Sequence, residues 1–195
     1  MARPREFDEE TALRKAMDTF WTKGFEATSV SDLTEAMGIG RSSLYASFGD
    51  KDAVFARAVD LYMREVAAER VRILRTATSA RQGLRDFFAH HIRVALDPRT
   101  PAGCMVVNTA LEIDGVAQET AERLTSRSKI VDQAMRELLE RAQSSGEIDR
   151  SADARALALM LVAVSYGIHV MARMHRDRKT LQMIADGALA ALNLN

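Results

Sequence analysis

A single cysteine, Cys104, leaves no partner for an intrachain disulfide, and nothing else in the chain asks for an oxidising compartment. Three prolines and ten glycines in 195 residues are too few for a turn-rich β architecture and leave long stretches open to helix. No charge of one sign is in excess. The 27 Lys and Arg balance 27 Asp and Glu, so nothing draws the whole chain to nucleic acid or to an anionic membrane. The longest wholly apolar run, Ala156 to Val164, falls well short of the ~20 residues that span a bilayer. The opening residues hold no apolar segment of the secretory kind. No Cys/His spacing suits zinc, and the adjacent His90 and His91 would point about 100° apart on a helix. No glycine-rich phosphate loop is present, so neither a metal nor a cofactor is expected. What remains is 47% hydrophobic, enough for a sizeable core in one domain or in a small and a medium one. The expectation is a cytoplasmic, all-helical protein.

Periodicity supports nine helices. The first covers about 7–23, with Leu13, Ala16, Met17, Phe20 and Trp21 on one side and Gly24 as its stop. A second starts at Ser29, where Ser29 and Asp32 fit a capping box, and ends near Met37. Gly38-Ile39-Gly40 makes a tight turn into a third, Arg41 to Phe48. Asp50 caps a long fourth helix. The remaining five cover about 80–96, 102–114, 116–144, 152–175 and 179–192. This divides the chain into residues 1–50, a connecting helix at 51–78 and a C-terminal domain at 79–195.

Residues 29–48 thus form helix, glycine-bounded turn, helix. Leu33, Ala36, Met37, Ile39 and Leu44 are spaced to pack on Phe20, Trp21 and Phe25, which leaves Arg41, Ser42, Ser43, Tyr45 and Ser47 on the outer side of the third helix. In a helix-turn-helix module the second helix enters the major groove, where Arg bonds guanine bidentately and Ser reaches several bases or phosphates. Charge argues mildly against a broad basic footprint. Residues 1–51 hold seven Lys and Arg against nine Asp and Glu, a net of −2. Positive charge is local instead, at Arg3, Arg5, Arg41 and Lys51.

The ungapped stretch 16–55, with Gly24-Phe25-x-x-Thr28-Ser29 and Leu44-Tyr45-x-x-Phe48-Gly49-Asp50-Lys51, closely resembles the TetR family of one-component transcriptional repressors. The resemblance implies a nine-helix, two-domain, all-α fold. It also implies a homodimer that binds a palindromic double-stranded operator and lets go when a small molecule occupies the C-terminal domain. At matching positions, Thr28 and Ser29 would touch phosphates, Arg41, Ser42 and Ser43 would face bases, Tyr45 would reach backbone or base, and Lys51 would hold a phosphate.

Two C-terminal features stand out. Helices 152–175 and 179–192 carry apolar residues on more than one side. One stripe holds Leu157, Met160, Leu161, Val164, Ile168 and Met171, and another holds Leu159, Ala163, Tyr166, Val170 and Met174. A helix at the edge of a monomer needs one apolar face, so a second suggests a two-fold interface, assigned to Leu157, Leu161, Val164, Ile168, Leu181, Ile184 and Ala188. The other feature is a set of polar groups in apolar helices, His91, Cys104, Asn108, Tyr166 and His169, which could line a pocket. Gly103-Cys104-x-x-x-Asn108 resembles a branch of TetR-like regulators, some of which respond to electrophiles or oxidants through this cysteine. Thiol sensing through Cys104 therefore stands as an alternative, with Cys104 as a small buried hydrophobe against it. A helical enzyme using Cys104 or a histidine is the reading outside regulation, and no nucleophile–base spacing supports it.

Overall fold

The computed structural model describes residues 7–192; Arg3 and Arg5 lie outside the described residues. Among these there is no strand, and ten α-helical segments follow one another. They are α1 (Glu9–Lys23), α2 (Val30–Met37), α3 (Arg41–Phe48), α4 (Lys51–Tyr62), α5 (Ala68–Thr76), α6 (Ala80–Leu96), α7 (Met105–Leu111), α8 (Gln118–Ser145), α9 (Ala154–Met174) and α10 (Arg178–Ala190). A π turn at Met63–Ala67 joins α4 to α5, so the long fourth helix expected from Asp50 is interrupted. Counting α4 and α5 as one gives the nine expected helices among the described residues. The sixth expected helix is shorter than its apolar pattern suggested. It ends at Leu111, and a 3-10 turn, Ile113–Gly115, follows.

Backbone contacts divide the chain into two compact units. One comprises the chain through Glu65 together with Met105–Thr125, the other Val66–Cys104 with the chain from Ser126 onward. In the first, α1 begins at Asp8, whose carboxylate accepts from the backbone N–H of Glu10 and Thr11 and so satisfies donors that the first turn cannot pair itself. Its inner face, Ala12, Ala16, Met17, Phe20 and Trp21, packs on α2 and α4. Phe20 lies edge-on to Phe55 with ring centroids 4.8 Å apart, and Trp21 edge-on to Tyr62 at 5.0 Å. Such pairs add about 0.5–1.5 kcal/mol beyond the area they bury.

In the second unit, α6, α9 and α10 pack on one another and α5 packs on α6. The core there holds Leu84, Phe87, Phe88, Ile92, Leu138, Leu161, Ile168, Leu181 and Ala185, among others. α9 is 21 residues long and apolar enough, by length and composition alone, to cross a membrane. Its side chains sort by face, however: Ala158, Leu161, Val162, Ser165, Ile168, His169 and Ala172 are buried, whereas Leu159, Val170 and Met174 are exposed. Leu161, Ile168 and Leu181, expected at a subunit interface, are therefore core residues of their own unit with no exposed surface. Leu157, Val164, Ile184 and Ala188 are half-buried and pack against the same core.

Candidate DNA-binding site

The turn between α1 and α2 sets up the site. Gly24 stops α1 at φ +86°, a left-handed conformation that L side chains rarely adopt, and its N–H donates to the Phe20 carbonyl at 2.8 Å. Ser29 then caps α2: its hydroxyl accepts from Asp32 N–H at 3.1 Å, and the Asp32 carboxylate accepts from Ser29 N–H at 2.8 Å. Lys23 closes on Asp32 at 2.5 Å. The Lys23 hydrogen bond first, then those from the Ser29 hydroxyl and N–H, hold the Asp32 carboxyl well below the usual carboxylate range. Gly38, left-handed at φ +71°, turns the chain toward α3.

α3 buries Leu44 and Phe48 and presents Arg41, Ser42, Tyr45 and Ala46 to solvent, with Ser43 and Ser47 half-buried. The Arg41 guanidinium donates to the Ser31 hydroxyl at 2.9 Å, so α2 orients the arginine on α3. No side chain caps α3, because Gly40 occupies its N-cap, and its first N–H groups stay available to an anion. Arg57 pins the other end: it donates to the Ser47 carbonyl at 2.8 Å and lies over the Phe48 ring at 4.4 Å. Lys51 opens α4 with its ammonium 4.2 Å above the Phe25 ring and 3.5 Å from the Glu26 carbonyl, which fixes a long flexible cation beside the start of α2.

Six of the seven residues expected to contact DNA are at least partly exposed on this unit: Ser29, Arg41, Ser42 and Tyr45 are exposed, and Ser43 and Lys51 are half-buried. Thr28 does not present its side chain there. It is 1% exposed, and its hydroxyl donates to the Gly24 carbonyl at 2.5 Å. Its side chain holds the turn instead of reaching a phosphate.

The expected pocket residues do not form one group. Asn108 belongs to the first unit, where its amide donates to the Trp21 carbonyl at 3.2 Å. Cys104 directly precedes α7 and is fully buried. His91 and His169 do meet: His91 Nδ1 and His169 Nε2 are 2.9 Å apart, one donating to the other, at the centre of the second unit. Tyr166 is half-buried on the same helix as His169, and burial pushes its hydroxyl up to about 12.

Burial first, and the nearby Arg70 charge second, lower His169 to about 3 and His91 well below its ordinary value. Both rings are therefore neutral at pH 7. A histidine whose folded value lies below its unfolded value of about 6.5 contributes stability in full above pH ~6.5, and that contribution is lost as the pH falls toward the folded value. The unfolding free energy from denaturant titrations should fall between pH 7 and pH 5, by up to about 1.4 kcal/mol per pH unit for each ring. A His91→Gln, His169→Gln variant should show a flatter profile in that window. An equal slope in both proteins would exclude the pair as its source.

Family models match over both parts of the chain: residues 12–58 match "Bacterial regulatory proteins, tetR family" and residues 80–187 match "Tetracyclin repressor-like, C-terminal domain". The chain belongs to the TetR family. It is accordingly a DNA-binding transcriptional regulator with a helix-turn-helix, and not an enzyme. Among curated TetR-family relatives, the chain is 33% identical to the HTH-type transcriptional repressor ComR of Escherichia coli over 96% of its length and 90% of that protein. It is 31% identical to the uncharacterized regulator YezE of Bacillus subtilis over 99% of its length and 100% of that protein. Among solved TetR-family structures, a cysteine mutant of CifR complexed with a 26-base-pair operator superimposes with a TM-score of 0.88 at 32% identity, covering 97% of this chain and 99% of that one.

The residues that sequence reasoning missed are Ser31, Arg57 and Glu112. Ser31 and Arg57 act through α3 side chains and backbone from other helices, and Glu112 reaches a turn 86 positions earlier in the chain. Spacing along the chain carries no signal for such contacts.

Proposed function

We propose that the chain is a transcriptional repressor that binds a palindromic operator as a homodimer, acts in the cytoplasm and releases DNA when a small-molecule effector occupies its C-terminal domain. The observation that carries the DNA-binding half is the outer face of α3, where Arg41, Ser42 and Tyr45 are exposed on a helix whose inner residues Leu44 and Phe48 are core. Arg41, Ser42 and Ser43 read bases, Tyr45 touches backbone or base, and Ser29 and Lys51 meet phosphates. Residues 1–50 form the DNA-binding domain, 51–78 the connecting segment, and 79–195 the ligand-binding and dimerisation domain. The interface uses the exposed faces of α9 and α10, Leu159, Val170, Met174 and Met183. The half-buried Leu157, Val164, Ile184 and Ala188 flank them, and Leu161, Ile168 and Leu181 support the interface from below. A Cβ added at Gly167 or Gly187 would meet nothing within 4 Å in the single chain. Neither glycine is required by the chain's own packing, and both leave room for a partner helix to approach closely.

The effector pocket is placed at His91, His169 and Tyr166. Cys104 sits in the same unit, while Asn108 serves the DNA-binding unit. A duplex selected by the wild-type chain from a random pool supplies the probe. Reversible metabolites and N-ethylmaleimide are then tested for release of that duplex. Release by a reversible compound that persists in Cys104→Ser supports the ligand reading. Release by N-ethylmaleimide alone, lost in Cys104→Ser, would replace it with thiol sensing.

A further inference from the structure

The α1–α2 turn is held from outside by α7 and by Glu112, the residue that follows it. The Glu112 carboxylate accepts from the backbone N–H of Phe25 at 2.6 Å and of Glu26 at 3.4 Å. Four residues earlier, on α7, the Asn108 amide donates to the Trp21 carbonyl in the last turn of α1 at 3.2 Å. The C-terminal end of α7 and the residue that follows it therefore supply both a donor to the end of α1 and an acceptor to the amides after it.

Two glycines make the approach possible. A Cβ at Gly24 would lie 2.2 Å from Glu112 Oε1, and one at Gly115 would lie 1.9 Å from Glu26 Oε1. Each carboxylate thus occupies space that a side chain on the opposing segment would fill. From within the turn, Thr28 donates to the Gly24 carbonyl and Lys51 sits over Phe25. Ser29, the N-cap of α2, is the next residue after Thr28, so the clipped turn determines where α2 starts and how α2 and α3 are presented.

We propose that Glu112 and Asn108 are positioning residues for operator binding: they clip the α1–α2 turn without touching DNA. This inference rests on the reading of α3 as the DNA-contacting helix. The test uses the full-length chain and a duplex selected from a random pool by the wild type, with affinity followed by fluorescence anisotropy over a range of salt concentrations. Glu112→Ala removes a charge-assisted acceptor from the turn and should weaken binding about tenfold or more. Its salt slope should match the wild type, since no phosphate contact is lost. Hydrogen exchange should accelerate at the Phe25 and Glu26 amides. Glu112→Gln retains an acceptor oxygen for Phe25 N–H and should recover most of the affinity. Wild-type affinity in a folded Glu112→Ala would overturn the proposal. Should Glu112→Ala fail to fold, Asn108→Ala decides: severalfold weaker binding by a folded chain supports the clip, and unchanged binding overturns it. Arg41→Ala is the reference arm. If it too binds like the wild type, the assignment of α3 fails, whereas loss in Arg41→Ala with none in Glu112→Ala fails the clip alone.

Discussion

Arg41→Ala is expected to weaken binding to the selected operator by about 5- to 150-fold, or ~1–3 kcal/mol, and to relax preference at one base pair. The guanidinium is exposed at the first residue of α3 and is pre-oriented by its 2.9 Å bond to the Ser31 hydroxyl. A bidentate contact to guanine then costs less side-chain entropy than a freely rotating arginine would lose. Lys51→Ala provides the contrast. Its ammonium, seated over Phe25, offers charge without a directional pattern, so its loss should weaken all duplexes alike and reduce the salt slope by about 1. Binding isotherms on the selected duplex, a single-base variant of it and a random duplex separate the two. Equal loss on all three duplexes for Arg41→Ala would remove the base-reading role.

The outer face of α3 was legible in the sequence because local rules dominate there. The Ser29–Asp32 capping box, the left-handed Gly38 and the alternation of Leu44 and Phe48 with exposed residues all follow from spacings of three or four residues. Thr28 shows where this stops. Its position matches a phosphate-contacting residue of the family, yet whether its hydroxyl faces DNA or the Gly24 carbonyl depends on how tightly the turn closes. The clip from α7 was out of reach for a related reason. A carboxylate serving amides 86 and 87 positions away leaves no periodic trace. In the C-terminal domain the pattern revealed two apolar stripes on α9 but not which faced inward, since both have helical spacing and similar hydrophobicity. The packing of α9 against α6 and α10 decides it.

That decision changes which substitutions should dissociate the proposed homodimer. Leu181→Glu would place a carboxylate at a position with no solvent exposure, at a cost large enough to unfold the second unit, so loss of DNA binding there would say nothing about assembly. Val170 and Met183 are 44% and 65% exposed, and glutamate at either can remain in water in a single chain. Val170→Glu with Met183→Glu should therefore preserve helical content while placing four like charges, two per subunit, in the interface. Sedimentation should show monomers. Operator binding should fall by about 10²–10⁴-fold, because the second half-site contact is no longer delivered at the high effective concentration that linkage provides. The two recognition helices of a dimer must also be about 34 Å apart, or a multiple of it, to meet successive turns of the same groove, a constraint that a monomer cannot meet. A double variant that stays dimeric would place the interface elsewhere on the chain. One that is monomeric yet binds with wild-type affinity would show that a single helix-turn-helix suffices.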